Sequence, residues 1–164
     1  MLKIRQATML DIPLIRELAL VAFADTYKEI LTQEQIDYML EWMYSLDNLK
    51  KQFLSGHIYH IGEFDGVACA YTSLEQQGQT LWHLQKIYLL PQFQGRGIGK
   101  QMFLNSITFI KKVCPKATLL ELNVNRNNNA KKFYEKMGMR VASSGDFSIG
   151  NGFYMNDYIM ALDL

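Results

Sequence analysis

Cysteine, proline and long apolar runs are all scarce in this sequence. Only two of its 164 residues are cysteine and three are proline. Cys69 and Cys114 have the spacing of neither a metal site nor a redox motif, so two buried, reduced thiols are expected rather than a disulfide. No apolar run approaches the roughly 20 residues that span a bilayer, and residues 1–5 lack a signal-peptide core. A cytoplasmic protein without a metal and without membrane contact is therefore expected.

An excess of charge of either sign is also missing. The chain carries 17 lysines and arginines against 16 aspartates and glutamates, which gives a formal net charge of +1. This balance provides no general attraction to nucleic acid or to an anionic membrane surface. With 49% hydrophobic and 20% charged residues, the composition is typical of a folded protein rather than a disordered one. The length predicts one domain over residues 1–164.

A glycine-rich segment at residues 94–100 carries the strongest functional signal. It follows an apolar run at residues 84–90 and precedes apolar positions with helical spacing at residues 102–110. A strand, a glycine loop and a helix form a cradle for an anion, because glycine permits close backbone approach and the first helical N–H groups face the ligand. A diphosphate is the expected occupant, and a turn without a ligand is the alternative. The residues of this cradle are Gln94, Gly95, Arg96, Gly97, Ile98, Gly99 and Lys100.

Two common phosphate loops do not fit this spacing. A P-loop requires serine or threonine directly after Lys100, where Gln101 stands. A dinucleotide-binding fingerprint that begins at Gly95 would need its third glycine at Lys100, and one that begins at Gly97 would need it at Met102. Neither a P-loop enzyme nor a dinucleotide-binding domain is therefore expected.

A second segment shows the same succession of strand and helix. Residues 117–124 form an apolar run bounded by polar residues, and residues 127–137 carry apolar side chains at helical spacing. Gly138 follows at the position expected for a helix C-cap. Because neighbouring helical positions point about 100° apart, Phe133 is expected in the core and Tyr134 in a different environment.

Together the two segments resemble the GCN5-related N-acetyltransferase (GNAT) superfamily. Its acyl-CoA loop has the pattern (Q/R)-x-x-G-x-(G/A), which residues 94–99 match, and a later segment has the form N-x-x-A-x-x-F-Y-x-K-x-G, which residues 127–138 match. The resemblance implies a mixed α/β (α+β) fold, with a central, mostly antiparallel sheet flanked by helices. It also implies acetyl-CoA as the cosubstrate.

Nearly the whole chain resembles the PaiA-type spermidine/spermine N-acetyltransferases. The sequence departs from that family at Met139, where phenylalanine usually follows the glycine, and one residue is missing between Val124 and Asn127. Either Asn127 or Asn128 therefore takes the asparagine role beside the cosubstrate. The matching stretches are F-x-D-T-Y-K-E at residues 23–29, K-I-Y at 86–88 for the family's R-I-Y, F-Q at 93–94, Y-E-K-M-G at 134–138, F-Y-M at 153–155 and D-x-I-M at 157–160.

The resemblance also implies roles for individual residues. In the superfamily the strand before the glycine loop separates from its neighbour, and its backbone binds the pantetheine arm; the matching positions here are Ile87, Tyr88 and Leu89. The Leu89 N–H group is the implied donor to the oxyanion of the tetrahedral intermediate. Tyr134 matches the tyrosine that protonates the departing thiolate, and a core tyrosine is the alternative.

The general base is less defined by the sequence. An alkylammonium with a pKa near 10 must lose a proton before its nitrogen attacks the thioester. Glu75 ends one central strand, and His83 lies on the next, on the same face as Gln85 and Ile87 by strand alternation. Both Glu75 and His83 are candidates for the base. Alternatively, the base acts through water or the reaction uses no side-chain base, and His83 has a structural role.

The acceptor implied by the PaiA resemblance is a polycation, whose site should present carboxylates and aromatic faces. The expected activity is transfer of acetyl from acetyl-CoA to a small primary amine, such as spermidine or spermine, by direct attack in a ternary complex. The alternatives are a protein or peptide N-acetyltransferase and a CoA-binding module without catalysis, and a homodimer is left open. The candidate acceptor residues, which solvated helix faces would equally explain, are Asp25, Tyr27, Glu29 and Asp157.

Local signals predict three further details of the fold. Asp65 and Gly66 predict a tight hairpin turn between two strands. Asp47 is expected to cap a short helix. The Gly-, Ser- and Asn-rich residues 143–152 predict a loop between the last two strands.

Overall fold

A computed structural model describes all 164 residues of the chain. A seven-stranded sheet has the order β1-β2-β3-β4-β5-β7-β6, and every neighbouring pair is antiparallel except β4 and β5. This confirms the expected mixed fold. The helices are α1 (Ile12–Tyr27), α2 (Gln33–Tyr44), α3 (Leu46–Leu54), α4 (Ile98–Val113) and α5 (Ala130–Lys136), and the strands are β1 (Leu2–Gln6), β2 (Ile58–Phe64), β3 (Val67–Gln76), β4 (Leu81–Leu89), β5 (Leu119–Asn125), β6 (Arg140–Gly150) and β7 (Phe153–Asp163).

Two hydrophobic cores hold the helices against the sheet. The first joins α1, α2 and α3 to β2 and β3, and it includes the fully buried Phe23 and Tyr71. The second joins α4 and α5 to β5 and β7, and it includes the fully buried Phe103 and Leu120. Helix α4 belongs to both cores, because Met102 packs in the first and Phe103 in the second. The apolar stripes that the sequence predicts are therefore the faces that pack.

Strand β4 has two irregularities that shape the centre of the molecule. Its pairing with β3 slips at Gln85, because Lys86 lies opposite Ser73 while Leu84 lies opposite Leu74. This bulge changes the side-chain alternation of the strand. Its pairing with β5 ends at His83, so the rest of β4 has no strand partner on that side. The two strands diverge from this point and leave a cleft between them.

The predicted loop at residues 143–152 is wrong. Strand β6 continues to Gly150 and pairs with β7 up to Phe153, so only Asn151 and Gly152 make the turn. Both turn residues have positive φ angles, of 52° and 76°, which asparagine and glycine adopt most readily. The small polar residues of β6 are compatible with a strand here because β6 is the edge of the sheet and is largely exposed.

Other local predictions have mixed outcomes. The hairpin turn at Asp65 and Gly66 is confirmed, with φ angles of 50° and 83°. Ser45 rather than Asp47 caps α3, because the Ser45 hydroxyl accepts a hydrogen bond of 3.2 Å from the Asn48 N–H group. Both cysteines are free and buried, as expected. None of the helices is both long enough and apolar enough to span a membrane.

Candidate active site

A cavity of about 800 Å³ opens where β4 and β5 diverge. Its walls come from the glycine loop and the start of α4, from both strands, from α5, and from the end of α1. The separation predicted for the strand before the glycine loop is the reason that this space exists. The sequence-predicted site residues that line it are Asp25, Tyr27, Glu29, Ile87, Tyr88, Leu89, Gln94, Gly99, Asn127, Asn128 and Tyr134.

The backbone of β4 presents free polar groups to this cavity. The Leu90 N–H group donates to the Cys69 carbonyl oxygen of the β3 segment at 2.8 Å. Hydrogen bonding alternates along an antiparallel strand, so the N–H and C=O groups of Leu89 and Ile87 point away from β3, towards the cleft. Beyond His83 no strand of the sheet satisfies these groups. A ligand in the cleft can therefore pair with them as an additional strand would.

The glycine loop has the geometry of an anion cradle. Gly97 is the N-cap residue of α4 with φ 75°, and Gly95 has φ 79°. No side chain caps the first N–H groups of α4, and a Cβ atom on either glycine would meet only open space. These free donors at the start of a helix fit a diphosphate. The Arg96 guanidinium instead stacks between two aromatic rings, 5.3 Å from the centroid of each, and the Lys100 side chain is exposed.

Tyr134 and Phe133 share one environment, which corrects the sequence prediction. Both rings line the cavity and both pack against Phe103, at centroid distances of 6.2 Å for Phe133 and 6.3 Å for Tyr134. Tyr134 is the more buried of the two. Helix α5 is short and lies at the cavity wall, so a turn of about 100° moves a ring along the wall rather than out of it. Burial raises the pKa of Tyr134, and its hydroxyl therefore keeps its proton at neutral pH.

Two further tyrosines meet at the end of α1. The hydroxyl oxygens of Tyr27 and Tyr88 lie 3.4 Å apart, and both rings pack on Phe23, with centroid distances of 4.7 Å and 5.6 Å. Burial raises the pKa of both groups. They are neutral hydroxyls, able to donate or accept a hydrogen bond inside the cavity.

The loop between β5 and α5 brings both candidate asparagines to the cavity wall. The Asn128 Oδ1 atom accepts a bond of 2.9 Å from the N–H group of Ala130, the first residue of α5. Asn127 donates its backbone N–H to Asn125 Oδ1 at 2.9 Å, and its own exposed side chain makes no hydrogen bond within the protein. The Asn127 side chain is therefore free for a ligand, whereas Asn128 already serves the helix.

The candidate bases Glu75 and His83 do not line the cavity. Glu75 lies 3.0 Å from His57 Nε2 and accepts hydrogen bonds of 3.0 Å from Gln77 and Gln85. Burial acts to raise the pKa of Glu75, but these partners outweigh it and the pKa is lowered. Burial lowers the pKa of His83, whose Nε2 atom lies 3.0 Å from Asn123 Oδ1. A catalytic role for either residue stays a prediction.

The three acidic candidate acceptor residues occupy different positions. Asp25 lines the cavity but pairs with Lys28 at 2.9 Å. Glu29 lines it with an exposed carboxylate and without an ion-pair partner. Asp157 is buried on β7 behind the cavity wall; its Oδ2 atom accepts a 3.3 Å hydrogen bond from Asn123, and its Oδ1 atom has no partner. Burial raises the pKa of the Asp157 carboxyl.

Sequence reasoning did not single out two polar residues of the cavity wall. Lys86 is buried, and its Nζ atom lies 2.7 Å from both Gln52 Oε1 and the Tyr59 hydroxyl. Burial lowers the pKa of Lys86 to about 7. Asn123 is an exposed residue between two buried ones on β5, in the middle of the sheet. Both residues are polar side chains inside apolar strands, and this pattern is the signal by which the sequence could have identified them.

Solved structures share this fold across the whole chain. The PaiA N-acetyltransferase of Thermoplasma acidophilum, in complex with coenzyme A, matches with a TM-score of 0.83 at 22% identity and covers 100% of this chain and 99% of its own. The ribosomal-protein-S18-alanine N-acetyltransferase of Escherichia coli matches with a TM-score of 0.74 at 18% identity, covering 99% of this chain and 94% of its own.

Sequence comparisons agree with the structural ones. An uncharacterized N-acetyltransferase from the pepI 3' region of Lactobacillus delbrueckii subsp. lactis is 28% identical over 158 residues, covering 91% of this chain and 90% of its own. The acetyltransferase (GNAT) family profile matches residues 16–139, which include the glycine loop, the cleft and Tyr134. The chain therefore belongs to the acetyltransferase (GNAT) family, and it is an N-acetyltransferase that uses acetyl-CoA.

Proposed function

We propose that the protein acetylates a primary amine of a linear polyamine such as spermidine or spermine. The observation that carries this proposal is the single cavity that connects the glycine loop to the carboxylates at the end of α1. Gln94 and Gly99 line it at the loop, and Asp25 and Glu29 line it at the helix. An acetyl group held in the cleft can therefore meet an amine that enters past two acidic side chains.

The proposed chemistry is direct transfer within a ternary complex. The bound ammonium gives one proton to water in the cavity, and its nitrogen lone pair then forms a bond to the thioester carbonyl carbon. The Leu89 N–H group, which points into the cleft, donates to the oxygen that gains negative charge. This donor is fixed by the sheet, so it needs no rearrangement as the charge develops.

Collapse of the tetrahedral intermediate breaks the bond between carbon and sulfur. The Tyr134 hydroxyl gives its proton to the departing thiolate, and the new amide nitrogen returns its surplus proton to the Tyr134 oxygen. The buried phenol is protonated at neutral pH, as a general acid must be, and the proton that returns from nitrogen to its oxygen leaves no phenolate behind. Asn127, with its free side chain, and the first N–H groups of α4 hold the cosubstrate in place.

The charges at the end of α1 favour a cationic acceptor. Glu29 has no ion-pair partner, while the Asp25 carboxylate is shared with Lys28. Tyr27 lies between them in sequence and lines the same wall. A linear polycation can place one amine at the thioester and a second ammonium beside Glu29. The resemblance of residues 23–29 to the PaiA-type enzymes supports the same acceptor.

A peptide amine is the second candidate acceptor. Trp42 is 45% exposed and stacks on Tyr38 at a centroid distance of 6.2 Å, which gives α2 an aromatic surface that suits a peptide. The fold similarity to the Escherichia coli ribosomal-protein-S18-alanine N-acetyltransferase is compatible with that choice. The two candidates differ in charge, so their salt dependence separates them.

A screen of acceptor amines tests the proposal. Release of free CoA thiol is measured with spermine, spermidine, a monoamine and a lysine-containing peptide at two ionic strengths. We expect the highest kcat/KM with a polyamine and a fall of that value with salt, because solvent-accessible ion pairs are screened within about 8–10 Å near physiological ionic strength. Equal or better turnover of the monoamine or the peptide would contradict the polyamine assignment.

A further inference from the structure

Asn123 is the centre of a hydrogen-bonded row that crosses three strands. On one side His83 Nε2 of β4 lies 3.0 Å from Asn123 Oδ1, and on the other Asn123 Nδ2 donates to Asp157 Oδ2 of β7 at 3.3 Å. Asp157 is buried and His83 is partly buried, whereas Asn123 is exposed and lines the cavity. An exposed amide that is clamped at both ends has a fixed orientation, which an ordinary surface asparagine lacks.

The orientation of the amide follows from the chemistry of its partners. An ionised carboxylate only accepts hydrogen bonds, so Asp157 must face the Nδ2 group of Asn123. Oδ1 of Asn123 consequently faces His83, which must carry its proton on Nε2. The other ring nitrogen of His83, Nδ1, is buried and has no partner. An asparagine side chain has two donor hydrogens and two acceptor lone pairs, so one of each stays available to the cavity.

We propose that Asn123 positions the attacking nitrogen of the acceptor amine through its free carbonyl lone pair, and that Asp157 and His83 are positioning residues that hold its amide. The inference rests on the proposed acetylation of an amine and names a residue for the acceptor side of that site. The carboxylate bonded to Nδ2 polarises the amide and makes Oδ1 a stronger acceptor for an N–H group. The role of Asp157 is then exerted through Asn123, since Asp157 does not line the cavity.

Several charged groups surround this row and set its pH dependence. Asp157 faces Tyr27 of α1 and Arg126 after β5, and Asp146 of β6 pairs with that arginine. His83 lies near Glu75 of β3 and Glu121 of β5, whose charges act to raise its pKa. The charge of His83 in turn acts to lower the pKa of His57. Once Asp157 is protonated at low pH, it no longer fixes the orientation of the Asn123 amide, because a neutral carboxyl group can donate a hydrogen bond as well as accept one.

The test compares Asn123→Leu with a matched control, Asn156→Leu, whose side chain is exposed on β7 next to Asp157. Spermine binding to the enzyme–CoA complex is measured by calorimetry beside kcat/KM. We expect Asn123→Leu to weaken spermine binding and to lower kcat/KM by about 10-fold to 100-fold, the effect of losing a hydrogen bond to a charged group. Acetyl-CoA affinity should stay unchanged. Unaltered spermine binding and kcat/KM, or an equal loss of acetyl-CoA affinity, overturns the assignment.

The positioning residues are tested by rescue and by pH profile. His83→Gln retains an N–H donor and should keep most of the activity, whereas His83→Leu should not. Protonation of Asp157 should add a further fall in kcat/KM at acidic pH to the fall caused by protonation of the amine, and Asp157→Asn should lose this further fall, which a merely structural role would leave in place. Equal loss in both His83 variants, or an unchanged profile in Asp157→Asn, overturns the positioning roles.

Failure of the proposed function gives a different pattern. If amines bind to the wild-type enzyme–CoA complex but no thiol is released from acetyl-CoA in their presence, the proposed function alone is overturned, and the calorimetric comparison still decides the role of Asn123. Wild-type turnover combined with undiminished binding in Asn123→Leu overturns the positioning inference alone. A wild-type protein that neither binds nor acetylates any amine overturns both.

Discussion

The Nζ atom of Lys86 lies 2.7 Å from the hydroxyl oxygen of Tyr59, and no carboxylate is within ion-pair distance of it. It is also 5.1 Å from the centroid of the Tyr44 ring and 5.2 Å from that of Tyr59. Burial lowers the pKa of this lysine, against a smaller opposing effect of Glu75, from an ordinary value of 10.5 to about 7. The folded protein thus contains an amine that gives up its proton far more readily than a lysine in water.

Lys86 should make stability rise with pH. Between about 7 and 10.5 the unfolded chain holds a proton on Lys86 that the folded chain has released, so unfolding takes up a proton and becomes less favourable as the pH rises. The gain over this window is at most about 1.4 kcal/mol per pH unit. The gain is measured by urea unfolding of the wild type and of Lys86→Met at pH 7 and pH 9. The variant lacks this lysine but keeps every other titrating group. The same pH dependence in both proteins would show that the lysine stays charged.

Gly97→Val should abolish tight binding of acetyl-CoA. The residue has φ 75° and its Cβ direction is open, so a side chain there occupies the space above the first N–H groups of α4. We expect affinity measured by calorimetry to fall at least about tenfold, equivalent to 1.4 kcal/mol. Gly66→Val is the control, because Gly66 has φ 83° and equally open space on a distant hairpin. If both variants bind acetyl-CoA like the wild type, the diphosphate site lies elsewhere.

Tyr134→Phe should slow the reaction and leave the binding of acetyl-CoA intact. Removal of the hydroxyl deprives the thiolate of its acid, so kcat should fall by about 10²-fold. Tyr158→Phe is the matched control, since Tyr158 packs in the same core without lining the cavity. Steady-state kinetics and calorimetry decide between the roles. Turnover of Tyr134→Phe at the wild-type rate would make Tyr134 a core residue only.

Glu29→Gln should raise the KM for spermine more than Asp25→Asn does. The Asp25 carboxylate is already paired with Lys28, while the Glu29 carboxylate is unpaired at the cavity wall. The effect should be smaller for a monoamine, which has no second ammonium group, and smaller at high salt. Glu34→Gln on the exposed start of α2 controls for net charge. An equal increase for spermine and monoamine in Glu29→Gln would remove Glu29 from the acceptor site.

Gly150→Ala should detach the β6–β7 hairpin from α2. An added Cβ would lie 2.5 Å from the Tyr38 hydroxyl oxygen, which donates a 2.6 Å hydrogen bond to Ile149. We expect a loss of about 1–3 kcal/mol of unfolding free energy, the range for overpacking. Gly152→Ala, with φ 76° and open space, controls for backbone strain in the same hairpin. In a Tyr38→Phe background the added methyl group should cost less, because the clashing oxygen is gone.

Sequence patterns predicted those parts of the molecule that depend on local chemistry. The glycine loop and the turn at Asp65 and Gly66 have their predicted form, because positive φ angles require particular residues. Ser45 caps α3 where the sequence predicts Asp47, since both residue types favour that position and only the geometry selects one. Residues 143–150 form an edge strand instead of the predicted loop, because small polar residues are common in both an exposed edge strand and a loop.

Relationships between distant strands were beyond the reach of sequence patterns. Glu75 and His83 were correctly placed on neighbouring strands, where they lie opposite each other, but the cavity opens farther along β4. The bulge at Gln85 leaves no signal in the residue types, yet it shifts the register of β4 against β3. The row formed by His83, Asn123 and Asp157 likewise depends on strand order, which brings β5 between β4 and β7.

The divergence of β4 and β5 divides the sheet into two halves that share only three paired positions. One half contains β1 to β4 and the other contains β5 to β7, with α4 packed across the division. Amide hydrogens on the open edge of β4, such as that of Leu89, should exchange with solvent much faster than those bonded to β3. A bound pantetheine arm would close this seam and protect them. Acetyl-CoA would then link the two halves structurally as well as serve as a substrate, and it should raise the melting temperature of the whole molecule by mass action.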